Sequence, residues 1–444
     1  MSLQPTRLHP EQLEKNFADI APALSRNEAL LEASRCLFCY DAPCMCACPT
    51  HIDVPKFIRQ ILDRNPLGAA RTIFSANILG GACARACPTE VLCEGDCVLN
   101  GLNEKPIQIG LLQRYATDHA MAKGAQFFER GAATGKRAAI IGAGPAGLAC
   151  AHELAKHGIE AVIFEAKEVA GGLNSYGIAA YKMTTDFALA EVEYVKQIGI
   201  EIRTNSPIGT SLPVTKLLAE YDAVFLGVGL GKTAALGIPG EELAGVYEAL
   251  DFIMPTRLQK MQECVVGENV LVIGAGNTAI DVATAARRLG ANSVTIVYRR
   301  GEAEMPTFKY EYELAKADGV KFLWQTVPQK IVGEKGKVVG LQCVKAKPST
   351  KDAKLEMIAS SEHTFACDMV VAALGQEPLY ELYKTIPNLE VKGKKVAVDA
   401  STGATSVKGL FAGGDCVNGG GEVVDAVEMG KIAARGIAQF LEKA

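Results

Sequence analysis

The chain has 444 residues, is 49% hydrophobic and 22% charged, and carries a formal net charge of −4. That length exceeds one ordinary core and predicts two or three domains. The near-neutral balance gives no reason to expect nucleic acid or an anionic membrane surface as partner. The first residues, MSLQPTRLHPEQLEKN, contain no apolar signal region. The longest apolar stretch, Ala138–Ala151, is interrupted by Gly142, Gly144, Pro145 and Gly147 and is too short to cross a bilayer, so a cytoplasmic location is expected.

Residues 1–130 lack alternating strand patterns. They read as short helices, Phe57–Leu62 and Gly68–Phe74 among them, between cysteine-bearing loops punctuated by Pro49, Pro55, Pro66, Pro88 and Pro106. The chain has 14 cysteines, and nine of them fall between Cys36 and Cys97. A disulfide framework is not expected in a reducing cytosol. The scattered Cys150, Cys264, Cys343 and Cys367 read as small buried hydrophobes.

The clustered cysteines form two groups, Cys36-x2-Cys39-x4-Cys44-x3-Cys48-Pro49 and Cys83-x3-Cys87-Pro88-x4-Cys93-x3-Cys97. Such spacing puts several thiolates around one iron–sulfur cluster, with a fourth ligand drawn from a distant group. Zinc is the rival, since thiolates at this spacing also bind it. Cys46 is the odd residue of the first group and reads as a bystander.

An α/β pattern opens at Lys136–Arg137. Strand Ala138–Ile141 runs into Gly142-Ala143-Gly144-Pro145-Ala146-Gly147 and then a helix, Gly147–His157; a second strand, Val162–Phe164, ends at Glu165. In this G-x-G-x-x-G arrangement the first glycine makes the turn and the second lets backbone approach a pyrophosphate. The third packs helix on strand, and the acid accepts hydrogen bonds from a ribose. Gly171-Gly172-Leu173 reads as a second loop over the pyrophosphate. Near the C-terminus, Gly409–Ala412 ends in Gly413-Gly414-Asp415 before a helix from about Val423 to Phe440. Asp415 suits the ribityl chain of a flavin, and the helix N-terminus suits its pyrimidine edge. A turn or cap residue is the alternative for Asp415. FAD is the expected occupant.

The same unit recurs at an offset of 132 residues, from Gly142 to Gly274. Strand Val270–Ile273 leads into Gly274-Ala275-Gly276-Asn277-Thr278-Ala279, helix Thr278–Leu289 and strand Val294–Tyr298. Alanine replaces the third glycine. Arg299 and Arg300 stand where an NAD-specific site would carry an acid, and such residues suit a 2′-phosphate; solvated charges at a strand end are the alternative. NADPH is favoured over NADH, with Glu302 and Glu304 close enough to address a ribose. Asp281 reads as a structural residue. Gly227-Val228-Gly229 and Ala373-Leu374-Gly375 read as close backbone approaches to cofactor, Gly375 on the nicotinamide side. The expected division is 1–130 for the cysteine domain, 131–255 and 376–444 for a split FAD domain, and 256–375 for an inserted nicotinamide domain.

The run from Ser34-Arg35-Cys36 to Gln113-Arg114-Tyr115, followed by both dinucleotide units, resembles the N-terminal half of dihydropyrimidine dehydrogenases and the bacterial PreT-type subunits in which that half is a separate polypeptide. Small subunits of NADPH-dependent glutamate synthase are similar. Phe74-Ser75-x-Asn77-x-Leu79-Gly80 and Pro106-Ile107-x-Ile109-Gly110-x-Leu112-Gln113 look like the dihydropyrimidine dehydrogenase type, whereas glutamate synthase subunits tend to carry a glutamate at the place of Gln113. The resemblance implies an α/β fold with two Rossmann-like domains and an N-terminal helical domain holding two [4Fe-4S] clusters. It implies Cys36, Cys39, Cys44 and Cys97 as ligands of one cluster, and Cys48, Cys87, Cys93 and Gln113 as ligands of the other. Cys83 matches a cysteine that is not a ligand, and Lys182 a basic residue near the flavin. From its own pattern alone Gln113 reads as a surface helix residue.

The function implied is electron input: hydride from NAD(P)H to FAD, then single electrons through the clusters. No residue need act as a covalent nucleophile. The chain has no room for a further catalytic barrel of about 250 residues. The resemblance therefore implies a partner, an FMN-containing, PreA-like subunit that reduces uracil or thymine. A glutamate synthase small subunit is the runner-up, and a zinc-stabilised scaffold without catalysis is a third reading.

Overall fold

The computed structural model describes residues 4–5, 8–209, 211–348 and 354–443. The chain divides into two compact units. The larger comprises Ile20–Ser175, Lys182–Leu230 and Pro378–Ala444; the smaller comprises Met1–Asp19, Tyr176–Tyr181 and Gly231–Glu377.

In the larger unit the cysteine-rich segment is built on α1 (Val54–Leu62), α2 (Pro66–Ala76), α3 (Gly80–Ala86) and α4 (Ile109–Ala122). Local chemistry sets their starts. Asp53 caps α1 by accepting from Lys56 N–H at 3.1 Å, and Asn65 caps α2 by accepting from Gly68 N–H at 2.9 Å. Pro66 occupies the first helical turn, where its missing N–H costs nothing. The helices bury Phe57, Ile58, Ile73 and Leu112 completely, giving a small core from which the cysteine loops project.

The same unit contains a five-stranded parallel sheet. Its order is Leu410–Ala412, β4 (Ala223–Leu226), β1 (Arg137–Ile141), β2 (Glu160–Phe164), β3 (Glu201–Arg203). Residues Ala138–Ile141 are wholly buried, as a central parallel strand requires. Between strands lie α5 (Pro145–Lys156) and α6 (Thr185–Lys196). The last helix, Val423–Glu442, lies close on α5 because Gly430 has no side chain: a Cβ there would sit 2.2 Å from the Ala146 carbonyl oxygen.

The smaller unit repeats the plan. Its parallel sheet combines β5 (Val246–Glu248), β6 (Asn269–Ile273), β7 (Ser293–Val297), β8 (Lys321–Leu323) and β12 (Met369–Ala372) in the order β8-β7-β6-β12-β5. The glycine turn after β6 leads into α7 (Asn277–Arg288). An antiparallel sheet of β9 (Thr326–Glu334), β10 (Lys337–Lys345) and β11 (His363–Ala366) is added between β8 and β12. Tyr181 is anchored in this unit: its hydroxyl donates to Asp281 at 2.9 Å, and Arg288 stacks on its ring. Asp281 thus has the structural role its position suggested. Among the described residues no helix is long and apolar enough to cross a membrane.

Candidate functional site

The first glycine fingerprint joins β1 to α5. Gly142 adopts a φ of +99°, open to glycine and costly for other residues. A Cβ there would sit 2.4 Å from the Gly227 carbonyl oxygen, just past the end of β4, so this close backbone approach requires glycine at 142. Gly144 caps α5 in an extended conformation. Gly172 lies directly against it; a Cβ on Gly172 would be 2.7 Å from Gly144 Cα. Two glycine loops therefore meet over the helix N-terminus, with Pro145 and Ala146 beginning the helix and Leu173 following the second loop. A site for a pyrophosphate needs this bare, amide-lined backbone.

Glu165 is buried at the end of β2. Its carboxylate accepts from Ala143 N–H and Lys167 N–H, both at 2.8 Å. A carboxylate has about four acceptor positions, so it holds the fingerprint loop while keeping capacity for ribose hydroxyls. Gly414 has a φ of +77° and places Asp415 at the start of a short helical turn. Asp415 accepts from Gly421 N–H at 3.1 Å, and burial raises its carboxyl above the usual range. The helix Val423–Glu442 begins next to it, capped by Glu422 and Asp425. Lys182 is buried in the same unit.

In the second fingerprint Gly274 has a φ of +122° and lies against the Ala373 carbonyl, 2.2 Å from a Cβ built there. Ala275 is buried, and Gly276 caps α7 with open space around it, since a Cβ there would meet nothing within 4 Å. Asn277 uses its side-chain oxygen to accept from the Thr307 hydroxyl at 2.6 Å and Phe308 N–H at 3.2 Å. It thereby ties the Met305–Phe308 loop to the helix N-terminus, a contact the sequence pattern did not suggest. Thr278 is exposed beside it. Arg299, exposed, and Arg300, half-buried, follow β7 after Tyr298. Gly375 has a φ of +89°, and its carbonyl accepts from Ala234 N–H at 2.9 Å.

In the helical segment Cys36, Cys39, Cys44 and Cys97 line one cavity, walled by apolar side chains including Val54, Ile58, Leu99 and Ile107. Chain spacing alone could not place Cys97 with the other three. Burial drives the Cys36 thiol upward and Cys44 up to about 12, with the mutual repulsion of these sulfurs adding to it. A site that disfavours free thiolates this way suits a cationic centre, which reverses the balance and deprotonates them.

Cys93 has Cys48 among its electrostatic neighbours, and Cys87 has Cys83, Cys93 and Glu422. Gln113 is buried on α4, not a surface residue; its Nε2 donates to the Gly80 carbonyl at 2.6 Å. That bond fixes the amide and leaves Oε1 as its acceptor, the atom a metal would use. Cys46 is exposed. Among the described residues no three cysteine, histidine or acidic side chains converge on a single metal position, so the fit of a cluster rests on the shared cavity and the donor chemistry.

The sequence pattern gave no sign of Glu191. This α6 residue is 2% exposed and accepts from Gly81 and Ala82 N–H at 2.9 and 3.1 Å, capping α3; burial pushes its carboxyl up to about 8. A lone glutamate within an amphipathic helix gives no sequence cue to such a role.

Comparison with known proteins agrees with this geometry. Residues 13–125 match the family described as dihydropyrimidine dehydrogenase domain II, 4Fe-4S cluster, and residues 136–430 match the pyridine nucleotide-disulphide oxidoreductases. The chain is 37% identical to the glutamate synthase [NADPH] small chain of Escherichia coli, covering 96% of this chain and 94% of that one. It is 36% identical to the NAD-dependent dihydropyrimidine dehydrogenase subunit PreT of Salmonella typhimurium, covering 97% and 99%. Among solved structures, Mycobacterium tuberculosis FprA in complex with NADPH shares the fold with a TM-score of 0.58 at 18% identity, over 70% of this chain and 85% of that one. Thioredoxin reductase of T. acidophilum does so with a TM-score of 0.53 at 20% identity, over 68% and 97%. The chain belongs to the family of NAD(P)H-dependent flavin and iron–sulfur oxidoreductases that includes the PreT subunits and the glutamate synthase small chains.

Proposed function

We propose that this chain takes hydride from NAD(P)H onto FAD and passes single electrons through two [4Fe-4S] clusters to an FMN-containing, PreA-like partner subunit that reduces uracil or thymine to the 5,6-dihydro base. FAD supplies the conversion between a two-electron hydride and single electrons, which iron–sulfur clusters accept one at a time. The observation that carries the electron-input role is the four-thiol cavity of Cys36, Cys39, Cys44 and Cys97 in the same compact unit as the first glycine fingerprint.

The chain's own residues bind and orient. Gly142, Gly144, Pro145, Ala146, Gly147, Gly172 and Leu173 hold the FAD pyrophosphate, Glu165 its ribose and Asp415, after Gly414, its ribityl chain. Lys182 supplies positive charge toward the flavin. Gly274, Ala275, Gly276, Asn277, Thr278 and Gly375 form the nicotinamide dinucleotide site, and Arg299 with Arg300 meets a 2′-phosphate. Cys48, Cys87, Cys93 and Gln113 hold the second cluster. Cys87 has Glu422, the cap of the helix facing the flavin site, among its electrostatic neighbours. This supports that cluster as the first to receive electrons and the Cys36 cluster as the exit.

In this reading 1–130 is the cluster domain, 131–255 with 376–444 the FAD domain, and 256–375 the nicotinamide domain. The relatives' names, a subunit and a small chain, support a hetero-oligomer with a catalytic partner. Cysteine usage supports a reducing, cytoplasmic setting.

The second reading, a glutamate synthase small subunit, is favoured by the 37% identity to that chain of Escherichia coli. Gln113, buried with its amide fixed, favours the first. Reconstitution decides between them. With NAD(P)H and a PreA-like partner, uracil-dependent oxidation of the dinucleotide is expected. Turnover only with a glutamate synthase large chain, 2-oxoglutarate and glutamine selects the second reading.

A further inference from the structure

The start of α4 is not closed by its own N-cap residue. Gln108 makes no side-chain cap bond, yet the first N–H groups of a helix need acceptors. Two carboxylates from elsewhere in the chain supply them. Glu32 accepts from Gln108 N–H at 2.8 Å, and Glu94 accepts from Gly110 N–H at 2.9 Å. Glu94 directly follows Cys93, and Gly110 lies three residues before Gln113, a spacing that shares a helix face. The Glu94 backbone is itself fixed. Its N–H and that of Gly95 donate to the Thr89 carbonyl at 2.9 and 3.0 Å, and Asn100 Nδ2 donates to the Glu94 and Gly95 carbonyls, both at 2.8 Å. Glycine at 110 permits the close approach, since a Cβ there would sit 3.2 Å from Thr89 Cγ2. The half-buried Glu94 side chain is thus a short, fixed link between the loop that carries Cys93 and the helix that carries Gln113.

We propose that Glu94 is a positioning residue that ties the Cys93 loop to the first turn of α4 and thereby holds Gln113 within reach of the iron it binds. This rests on the ligand set proposed above, in which Cys93 and Gln113 serve one cluster. A thiolate is a soft, anionic ligand suited to iron–sulfur iron, whereas an amide oxygen is hard and neutral. The iron on Gln113 is therefore held least by bond strength and most by placement. Hydrogen-bonded partners behind a ligand set such placement. Gln113 has two. The Gly80 carbonyl fixes the turn of its amide, and Glu94 fixes where α4 begins relative to Cys93.

The test is oxidative iron loss from the anaerobically prepared full chain, followed by electron paramagnetic resonance and iron analysis. Ferricyanide takes one electron from a four-iron cluster, which releases one ferrous ion and leaves a three-iron cluster with its own resonance. Glu94→Leu is expected to bind FAD normally and to alter the reduced spectrum of one cluster only. That cluster should lose iron about tenfold faster, the factor to which a lost cap of ~1.4 kcal/mol corresponds. Glu94→Gln keeps an acceptor at the same reach and is expected to stay near the wild type. Should the leucine variant not fold, Glu94→Asp, one methylene too short to reach Gly110, is expected to show the same loss. Glu94→Leu combined with Gln113→Leu is expected to lose iron no faster than Gln113→Leu alone, because Glu94 acts through Gln113. An unchanged rate in Glu94→Leu overturns the proposal, and so does an effect that adds to that of Gln113→Leu. Gln113→Leu by itself separates the two readings. If it leaves both clusters untouched, the ligand set is wrong and the proposal falls with it. If it labilises one cluster while Glu94→Leu and Glu94→Asp change nothing, the ligand set stands and only the role of Glu94 fails.

Discussion

Gly147 and Ala279 hold the same place in the two fingerprints, and the difference between them runs through both sites. A Cβ on Gly147 would lie 1.9 Å from the Gly142 carbonyl oxygen, whereas the α7 start has room for the methyl of a fully buried Ala279. Gly144 is covered by Gly172, but Gly276 faces open space. At the end of the second strand, Glu165 is buried and bonded to the Ala143 amide, while Arg299 stands in solvent. The first site is closed by its own polypeptide and the second is open. A closed cradle suits a cofactor that stays through turnover; an open one suits a dinucleotide that must leave each time. The same strand–turn–helix unit thus serves as a resident-cofactor site and as an exchange site, according to what packs over the glycine loop.

The largest expected effect breaks this comparison if it fails. Gly147→Ala should abolish stable FAD binding, because the methyl meets a backbone carbonyl that cannot swing aside; overpacking of this kind costs about 1–3 kcal/mol or more. Ala279→Gly should cost at most ~1 kcal/mol of stability and leave FAD in place. FAD content and thermal unfolding of the two purified variants check this. A Gly147→Ala protein that retains full FAD means the first loop is not as tight as its geometry requires.

Gly276→Val sharpens the contrast from the other side. Among the described residues nothing lies within 4 Å of a Cβ at this position, so folding and FAD content should stay normal. Dinucleotide binding should weaken on the order of a hundredfold, as loss of one or two charged hydrogen bonds of ~1.5–3 kcal/mol each would produce. Titration of the dinucleotide against flavin fluorescence measures it, and unchanged affinity would show that the open space is not the pyrophosphate site.

Much of this contrast was legible in the residues. The strands and helices of both fingerprints lie within one or two residues of where their apolar runs and glycine turns put them, because parallel β–turn–α units are specified locally. What came from long-range packing was not. The antiparallel sheet of β9, β10 and β11 interrupts the nicotinamide unit without a clear alternation, since β9 is bulged and mostly exposed or half-exposed. Tyr176–Tyr181 joins the smaller unit through a bond from Tyr181 to Asp281, across 100 residues. Gln113 reads as a helix residue until α3 packs on α4 and buries it. Cys97 meets Cys36 only because the helical core brings their loops together.

The smallest expected effect concerns the arginines of the open site. Arg299→Ala with Arg300→Ala should remove a charged phosphate contact of roughly 1.5–3 kcal/mol and reduce NADPH preference by about tenfold or more. Flavin reduction by NADPH and by NADH in stopped flow reads it. If the wild type prefers NADH and the double variant keeps that preference, the two arginines are solvated surface charges.

The most direct test of electron input is anaerobic analysis of the purified chain followed by a single addition of NAD(P)H. Two four-iron clusters require about eight iron and eight acid-labile sulfide per chain, with FAD bound. Bleaching of the flavin should precede the appearance of reduced-cluster resonance signals. Stoichiometric zinc without labile sulfide, or flavin reduction that never reaches a cluster, would contradict the account.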